Sequence, residues 1–492
     1  MTASTEGFRA LFDPRAVLVA GASTHPGKFG FVALHNILSC GYEGKVYATN
    51  RDGAEVLGIQ TVPDVADLPD GEIDLAFVCT PAATNPDLLR ACAKKGITAA
   101  FIASAGYGEA GEEGRGAQNN LVALADELGI LLAGPNGQGI VSTPAKLCAQ
   151  IVAPYPPAGR IAIASQSGNF VSSFQNYARQ TGVGVSRAVS AGNAAAVSIP
   201  DYLEYYANDD ETSVALAYIE GVALGEGRAV YERLRQVGER MPVVVVKGGA
   251  TSGGQRAAAS HTGSLATDDR VFEGMCRQAG IQRAASVEQA FDIAATFATQ
   301  PLPRGDRVAV VTTAGGWGVV TADALTRSSL HLIDLPEDLR AAIDEQLPPR
   351  WSRNNPIDMA GGETRDTVPV VLDLVTGHPD IDAVIFLGMG IQSNQAKLMR
   401  QGPFWPSEDL ERIVAYHERQ DARFAQAAID ASDRTGKPVL VATELAVTDP
   451  DNAGVATLHQ AGRLCHASAN RAVTALEHLW QRSRWLQRRG LA

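Results

Sequence analysis

The sequence predicts an α/β protein of three successive doubly wound blocks. Short runs of Val, Ile, Leu and Ala end at turn residues and alternate with segments of helical periodicity, the pattern of strands buried on both faces of a parallel sheet. Glycine is frequent, 49 of 492 residues, while aromatic residues make up only 6%. That mixture suits folds with many tight strand-to-helix turns. The length, at roughly 100–200 residues per domain, suggests about three domains.

The first block spans residues 1–153. Its predicted strands are Ala16–Ala20, Val46–Thr49, Ile73–Cys79, Ile97–Ala103 and Ile130–Ala133, with helical segments such as Pro86–Lys95 and Ala117–Leu128 between them. Pro154, Pro156, Pro157 and Gly159 break the pattern and mark a linker. The second block, 158–300, restarts at Arg160–Ala164 and continues through Val183–Val189, Val214–Ile219 and Val243–Lys247 to helical pattern ending near Thr299. The third, 305–492, holds strands at Arg307–Thr312, Ala383–Leu387 and Pro438–Thr443. A long, charged helical C-terminus is expected from Ala453 to Arg489. In each block, ligands belong at the carboxyl ends of the strands.

Charge and composition narrow the class. With 42 Lys+Arg against 54 Asp+Glu the net charge is −12, which argues against general nucleic-acid binding. The N-terminus lacks the basic and apolar regions of a signal peptide, and no run approaches the roughly 18 apolar residues that span a bilayer. The six cysteines are scattered, without a CxxC pair or zinc-like spacing. They read as buried apolar residues in a reducing compartment, so a cytoplasmic protein with no membrane or nucleic-acid partner is expected, and no metal ligands are assigned.

Three strand-to-helix turns carry the chemistry. The first runs Gly21-Ala22-Ser23-Thr24-His25-Pro26-Gly27-Lys28-Phe29-Gly30. A glycine turn opening a helix favours an anion, because unpaired N–H groups and the helix dipole face the ligand. The glycine spacing is not that of a dinucleotide fingerprint, and the second strand ends Thr49-Asn50-Arg51 rather than in the acidic residue that holds a ribose, although Asp52 follows. Lys28 and Arg51 suit a ligand with extra phosphates. The second turn is Ser165-Gln166-Ser167-Gly168-Asn169-Phe170, and the third Thr312-Thr313-Ala314-Gly315-Gly316-Trp317-Gly318. Two such turns suggest two helix N-termini serving one phosphate.

His261 stands in a segment, 248–264, made almost entirely of small residues. Such a segment is expected to be mobile. An imidazole on it suits a nucleophile that visits more than one site, although a lone histidine is as often incidental. Glu220 ends the strand Val214–Ile219, where a carboxylate can hold one imidazole nitrogen and free the other.

Together these residues resemble the nucleoside-diphosphate-forming acyl-CoA synthetases, relatives of succinyl-CoA synthetase. The carrying motifs are GASTHPGKFG, AGPNGQG (133–139), SQSG (165–168), SAGN (190–193), YIEGV (218–222), ASHTGSLA (259–266), TTAGGWG and NPIDM (355–359), in family order across nearly the whole chain. The resemblance implies a Rossmann-like CoA-binding domain followed by two flavodoxin-like ligase domains. It assigns CoA to Gly21, Ser23, Gly27, Lys28, Asn50, Thr80, Pro81 and Asn136. It makes His261 the phosphorylated histidine and Glu220 the carboxylate that orients it. Ser165, Ser167, Gly168 and Asn169, with Gly315, Gly316 and Gly318, would cradle the phosphate.

The resemblance also implies a partner. No segment is left for the family's ATP-grasp module, so ATP/ADP and Mg2+ are expected mainly on a separate beta-type subunit, in a hetero-oligomer that would hold two of each chain. The implied reaction is acid + CoA + ATP ⇌ acyl-CoA + ADP + phosphate. Phe170 and Trp317 stand where relatives often carry smaller residues, and either line a pocket for a bulkier acid or shrink it. The alternative is a non-catalytic, CoA-binding regulatory protein of the same fold.

Overall fold

The structure is a computed structural model that describes residues 4–152, 154–222, 225–251, 253–254, 256, 268–359 and 366–491. The chain divides into two compact units, Met1–Arg179 with Gly184–Ala290, and Gln180–Val183 with Phe291–Ala492.

The first unit contains two large sheets. Strands β1 (Ala16–Ala20), β2 (Lys45–Thr49), β5 (Leu75–Val78), β6 (Ala99–Ile102) and β7 (Leu131–Ala133) form a parallel sheet in the order β2-β1-β5-β6-β7, with a small separate hairpin of β3 (Glu55–Val56) and β4 (Ile59–Gln60). Every residue of β1, β5 and β6 is buried, as a parallel sheet covered on both faces requires. Its helices are α1 (Thr5–Phe12), α2 (Phe29–Ser39), α3 (Asn85–Lys94) and α4 (Glu112–Leu128). The strand order reverses between β1 and β5, which opens a crevice at their carboxyl ends.

The second sheet runs β14-β13-β12-β10-β11-β8-β9. Its parallel part is β10 (Ala158–Ser165), β11 (Val185–Ser190), β12 (Val214–Ile219), β13 (Val243–Lys247) and β14 (Gln282–Ala284). Here the order reverses between β10 and β12. Helices α5 (Gly168–Thr181), α6 (Ile199–Tyr206) and α7 (Gly227–Arg240) follow β10, β11 and β12.

One boundary differs from the sequence reading, which ran the first block to residue 153. Strands β8 (Gly139–Ser142) and β9 (Leu147–Gln150) form an antiparallel hairpin that pairs with β11, Gly139 opposite Ser190 and Ser142 opposite Arg187. The hairpin covers an edge that β11 would otherwise leave unpaired. The core of this unit is therefore shared: Phe8 and Phe12 of α1 stack on Tyr205 of α6 with centroids 4.8 and 5.5 Å apart. Beside them buried Arg187 meets Asp13 at 2.6 Å and Asp209 at 3.2 Å.

The second unit is built on one parallel sheet. It comprises β15 (Arg307–Thr312), β16 (His331–Leu332), β17 (Ile357–Asp358), β18 (Ala383–Leu387), β19 (Val439–Ala442) and β20 (Cys465–His466). The order is β16-β15-β18-β19-β20, with β17 also on β15. The C-terminal segment, expected to be long and helical from Ala453 to Arg489, is interrupted. It is two helices, Ala453–Gln460 and Ala469–Arg488, separated by the edge strand β20. Gly462 at φ 65 turns the chain after the first helix, and Leu476 and Leu479 of the second are fully buried. Among the charges of that helix, Arg482 is buried at 2% exposure, and burial pulls its pKa down.

Candidate active site

The turn after β1 is shaped by glycines. Gly21 has φ 84, a left-handed conformation that L side chains rarely adopt. A Cβ at Gly30, in the first turn of α2, would sit 2.0 Å from the Gly21 carbonyl oxygen. The helix start is thus pressed directly on the end of the strand. Ser23 Oγ accepts from His25 N at 3.1 Å, and His25 Nδ1 accepts from Gly27 N at 3.0 Å. Lys28 stands at the N-cap and makes no side-chain capping bond. With no capping side chain, the amide end of α2 can receive an anion.

Neighbouring strand ends complete this region. Asn50 Nδ2 donates to the Ala22 carbonyl at 2.8 Å, so the residue where a ribose-holding acid was sought instead secures the glycine turn. A Cβ on Gly21 would lie 3.0 Å from Thr80 Cγ2. Thr80 Oγ1 donates to Asn85 Oδ1 at 2.8 Å, and buried Asn85 donates to Ser104 and Tyr107. Gly21, Ser23, Gly27, Lys28, Asn50, Thr80 and Pro81 therefore collect at the carboxyl ends of β1, β2 and β5, the place a doubly wound sheet offers a ligand. The Arg51 side chain is 96% exposed beside them.

Asn136 is placed differently. It follows β7, the edge strand, with φ 60, and its Nδ2 donates to Asn193 Oδ1 at 3.3 Å. Asn193 Nδ2 in turn donates to Glu109 at 2.6 Å and Gln118 at 2.9 Å. The AGPNGQG and SAGN loops are tied to each other.

The turn after β10 is held by a hydroxyl. Fully buried Ser165 accepts from Ser167 N at 3.0 Å and donates to Ser167 O at 2.7 Å. Glu220, at the end of β12 across the crevice from Ser165, is buried at 9% exposure. Gln166 joins the two: its N–H donates to the Tyr218 carbonyl at 3.3 Å, and its Oε1 accepts from Glu220 N at 2.7 Å. Sequence reasoning passed over Gln166, although its central place in SQSG was a signal. Phe170 packs edge-on against Tyr218, centroids 4.4 Å apart. Burial, with the Glu220 charge adding to it, pushes the Tyr218 phenol up to about 12. Asn169 is exposed in the first turn of α5.

Lys247, ending β13, is buried against Phe272; its Nζ donates to the Gly248 carbonyl at 3.1 Å and lies 3.8 Å from Asp269. Burial pulls its pKa down. His261 and the rest of residues 257–267 lie outside the described residues.

In the second unit the turn after β15 repeats the hydroxyl clamp. Thr312 Oγ1 accepts from Ala314 N and donates to Ala314 O, both at 2.9 Å. Ala314 caps the helix Gly315–Thr326 without a side-chain bond. A Cβ on Gly315 would fall 2.3 Å from Asp358 Oδ2, and one on Gly318 3.1 Å from Pro356 Cβ, so the NPIDM strand lies over the helix start. Gly316 has open space around its Cβ position, and Trp317 is partly exposed. The two helix starts belong to different units.

Among the described residues no three His, Cys, Asp or Glu are grouped as a metal site, and no helix is long and apolar enough to cross a membrane.

Known proteins match along the chain. Residues 15–143 fit the model of a CoA binding domain, 158–297 that of a succinyl-CoA ligase like flavodoxin domain, and 308–391 that of a ligase-CoA domain. The chain is 33% identical over 480 residues to the ADP-forming acetate–CoA ligase I subunit alpha of Pyrococcus furiosus, covering 97% of this chain and 98% of the relative. It is 36% identical over 375 residues to subunit alpha of ligase II from the same organism, 76% of this chain and 80% of the relative. It superposes on the dinucleotide forming acetyl-coenzyme A synthetase 1 of Ca. Korarchaeum cryptofilum, solved with phosphate and ADP, with a TM-score of 0.84, 31% identity and 99% of each chain covered.

Proposed function

The chain belongs to the ADP-forming acyl-CoA ligases, as an alpha-type subunit, and from that premise we propose how its own residues divide the reaction acid + CoA + ATP ⇌ acyl-CoA + ADP + phosphate. CoA would be held in the first sheet's crevice. The exposed Lys28 and Arg51 and the uncapped end of α2 suit its phosphates, while Asn50 and Thr80 shape the wall. The thiol it brings accepts the acyl group.

His261 takes the phosphoryl group and passes it to the substrate carboxylate. Glu220 orients the imidazole by accepting from one ring nitrogen, leaving the other free to attack. Amide groups at the start of α5, on Ser167, Gly168 and Asn169, stabilise the phosphate charge, and Gly315, Gly316 and Gly318 offer the same kind of helix start in the second unit. The nucleotide and its magnesium sit on an ATP-grasp beta-type partner, with two copies of each chain in the assembly.

The observation that carries this reading is the placement of Glu220 beside a hydroxyl-clamped turn at the second sheet's crevice, with Gln166, which follows β10, bonded twice to the end of β12. Calorimetric titration of the chain with CoA, and with NAD as control, tests the first step. Heat of binding from CoA alone is expected, weakened several-fold in Lys28→Ala; binding of NAD without CoA would refute the assignment. Assay of ADP release with the partner and a range of carboxylic acids then identifies the acid, with Glu220→Gln expected to lower kcat about 10²-fold or more.

A further inference from the structure

The six cysteines, scattered in sequence, are not equivalent in the fold. Cys40 caps the C-terminus of α2 and is half-buried, whereas Cys148 lies in β9 and is 1% exposed. Separated by 108 positions, their sulfurs stand 2.6 Å apart and share a hydrogen bond. A disulfide bond needs about 2.04 Å, so the two sulfurs are within about half an ångström of bonding. The elements that carry them are already tied together. Asn36 of α2 donates to the Gln150 carbonyl at 2.8 Å and the Val152 carbonyl at 3.2 Å, and Tyr155 donates to Asn36 Oδ1 at 2.8 Å.

The remaining thiols lack this setting. Burial pushes Cys79, Cys92, Cys276 and Cys465 up to about 12, which keeps them as inert thiols. At the pair, the hydrogen bond from Cys148 holds Cys40 below its ordinary value while Cys148 is pushed up. A partly exposed sulfur of lowered pKa next to a second thiol is the arrangement of a peroxide-reactive cysteine and its resolving partner.

We propose that Cys40 and Cys148 are an oxidative modification site at which a hydroperoxide forms a disulfide joining α2 to β9. The Cys40 thiolate attacks the peroxide O–O bond, giving a sulfenic acid and releasing hydroxide. Cys148 then displaces that oxygen as water, with its proton, and the S–S bond forms. For hydrogen peroxide the sum is two thiols and one peroxide to one disulfide and two waters; a dithiol reductant reverses it. The bond fixes the far end of the helix whose first turn faces the proposed CoA crevice.

The test uses the full chain, reduced and then exposed to hydrogen peroxide. Thiol titration under denaturing conditions should fall from six per chain to four. Peptide mapping should recover one linked peptide pair containing Cys40 and Cys148, two hydrogens lighter than its parts. Dithiothreitol should restore six thiols. The oxidised chain should unfold roughly 2–8 °C higher, because the bond closes a long loop in the unfolded state. In Cys148→Ser, a near-isosteric change, Cys40 should instead trap dimedone as a sulfenic acid, and Cys40→Ser should leave Cys148 a free thiol. Six thiols surviving a dose that oxidises free cysteine would overturn the proposal. So would a linked peptide that excludes either residue.

Discussion

The turns after β1 and β10 meet the same requirement in different ways. Each brings a buried parallel strand to the amide end of a helix at the crevice of its sheet. In the first, the fit is backbone against backbone: a Cβ on Gly30 would meet the Gly21 carbonyl oxygen at 2.0 Å and Ala22 Cα at 2.9 Å. In the second, the nearest atoms to a Cβ on Gly168 belong to the Gln138 side chain, with Cδ at 2.2 Å. The shape of that turn rests instead on Ser165, whose hydroxyl bonds both backbone groups of Ser167. Thr312 does the same for Ala314 in the second unit. A glycine facing backbone has no substitute, while a glycine facing a side chain has a neighbour that can move.

The contrast is sharpest at Gly30→Ala. Relief requires α2 to leave β1, so a loss of about 3 kcal/mol or more is expected in urea unfolding of the first unit, with CoA binding abolished. A loss below about 1 kcal/mol would remove the distinction between the turns. Next is Ser165→Ala, which leaves the half-buried Ser167 N–H without its hydroxyl acceptor and should cost about 1 kcal/mol. Ser165→Thr, which keeps the oxygen, should retain more of the stability than Ala.

Gly168→Ala should be milder, about 1 kcal/mol or less, because alanine favours the helix and only the end of Gln138 must shift. Paired with Gln138→Ala, most of its cost should vanish in a double-mutant cycle. Strictly additive effects would mean that the Gln138 contact does not set the cost.

The smallest expected effect separates the two units by pH. His466, 1% exposed in the second unit, is held down to about 4 by burial, the chief cause. Unfolded, it takes a proton near pH 6.5. The unfolded chain therefore binds more protons between pH 6.5 and 4, and stability falls as pH drops through that window. At pH 6 the second unit should have lost somewhat under 1 kcal/mol relative to pH 8, the loss growing with further acidification, and His466→Gln should flatten this slope. An unchanged slope in that variant would assign the acid sensitivity elsewhere.

Much of this was legible locally. Val214–Ile219, Val243–Lys247 and Ala383–Leu387 announce themselves as apolar runs, broken only by the closing Lys247, and they are strands at those residues. Gly139–Gln150 was not legible, because its partner β11 comes about 45 residues later and nothing local specifies that pairing. Likewise, Cys40 and Cys148 meet only through the packing of α2 on that hairpin. At the site, the glycine and serine turns stood out by composition. The side-chain bonds that hold them, from Asn50 to Ala22 and from Glu220 N to Gln166, depend on neighbouring strands being in register.

In the proposed mechanism the chain carries a phosphoryl group on His261 between acyl phosphate and nucleotide. The most direct measurement is incubation with acyl-CoA and labelled inorganic phosphate, together with the ATP-grasp partner but no nucleotide. An acid-labile, base-stable label is expected on this chain, discharged by ADP and absent in His261→Ala. A label of undiminished yield in His261→Ala, or none on a pair that still releases ADP from ATP in the presence of acid and CoA, would contradict it.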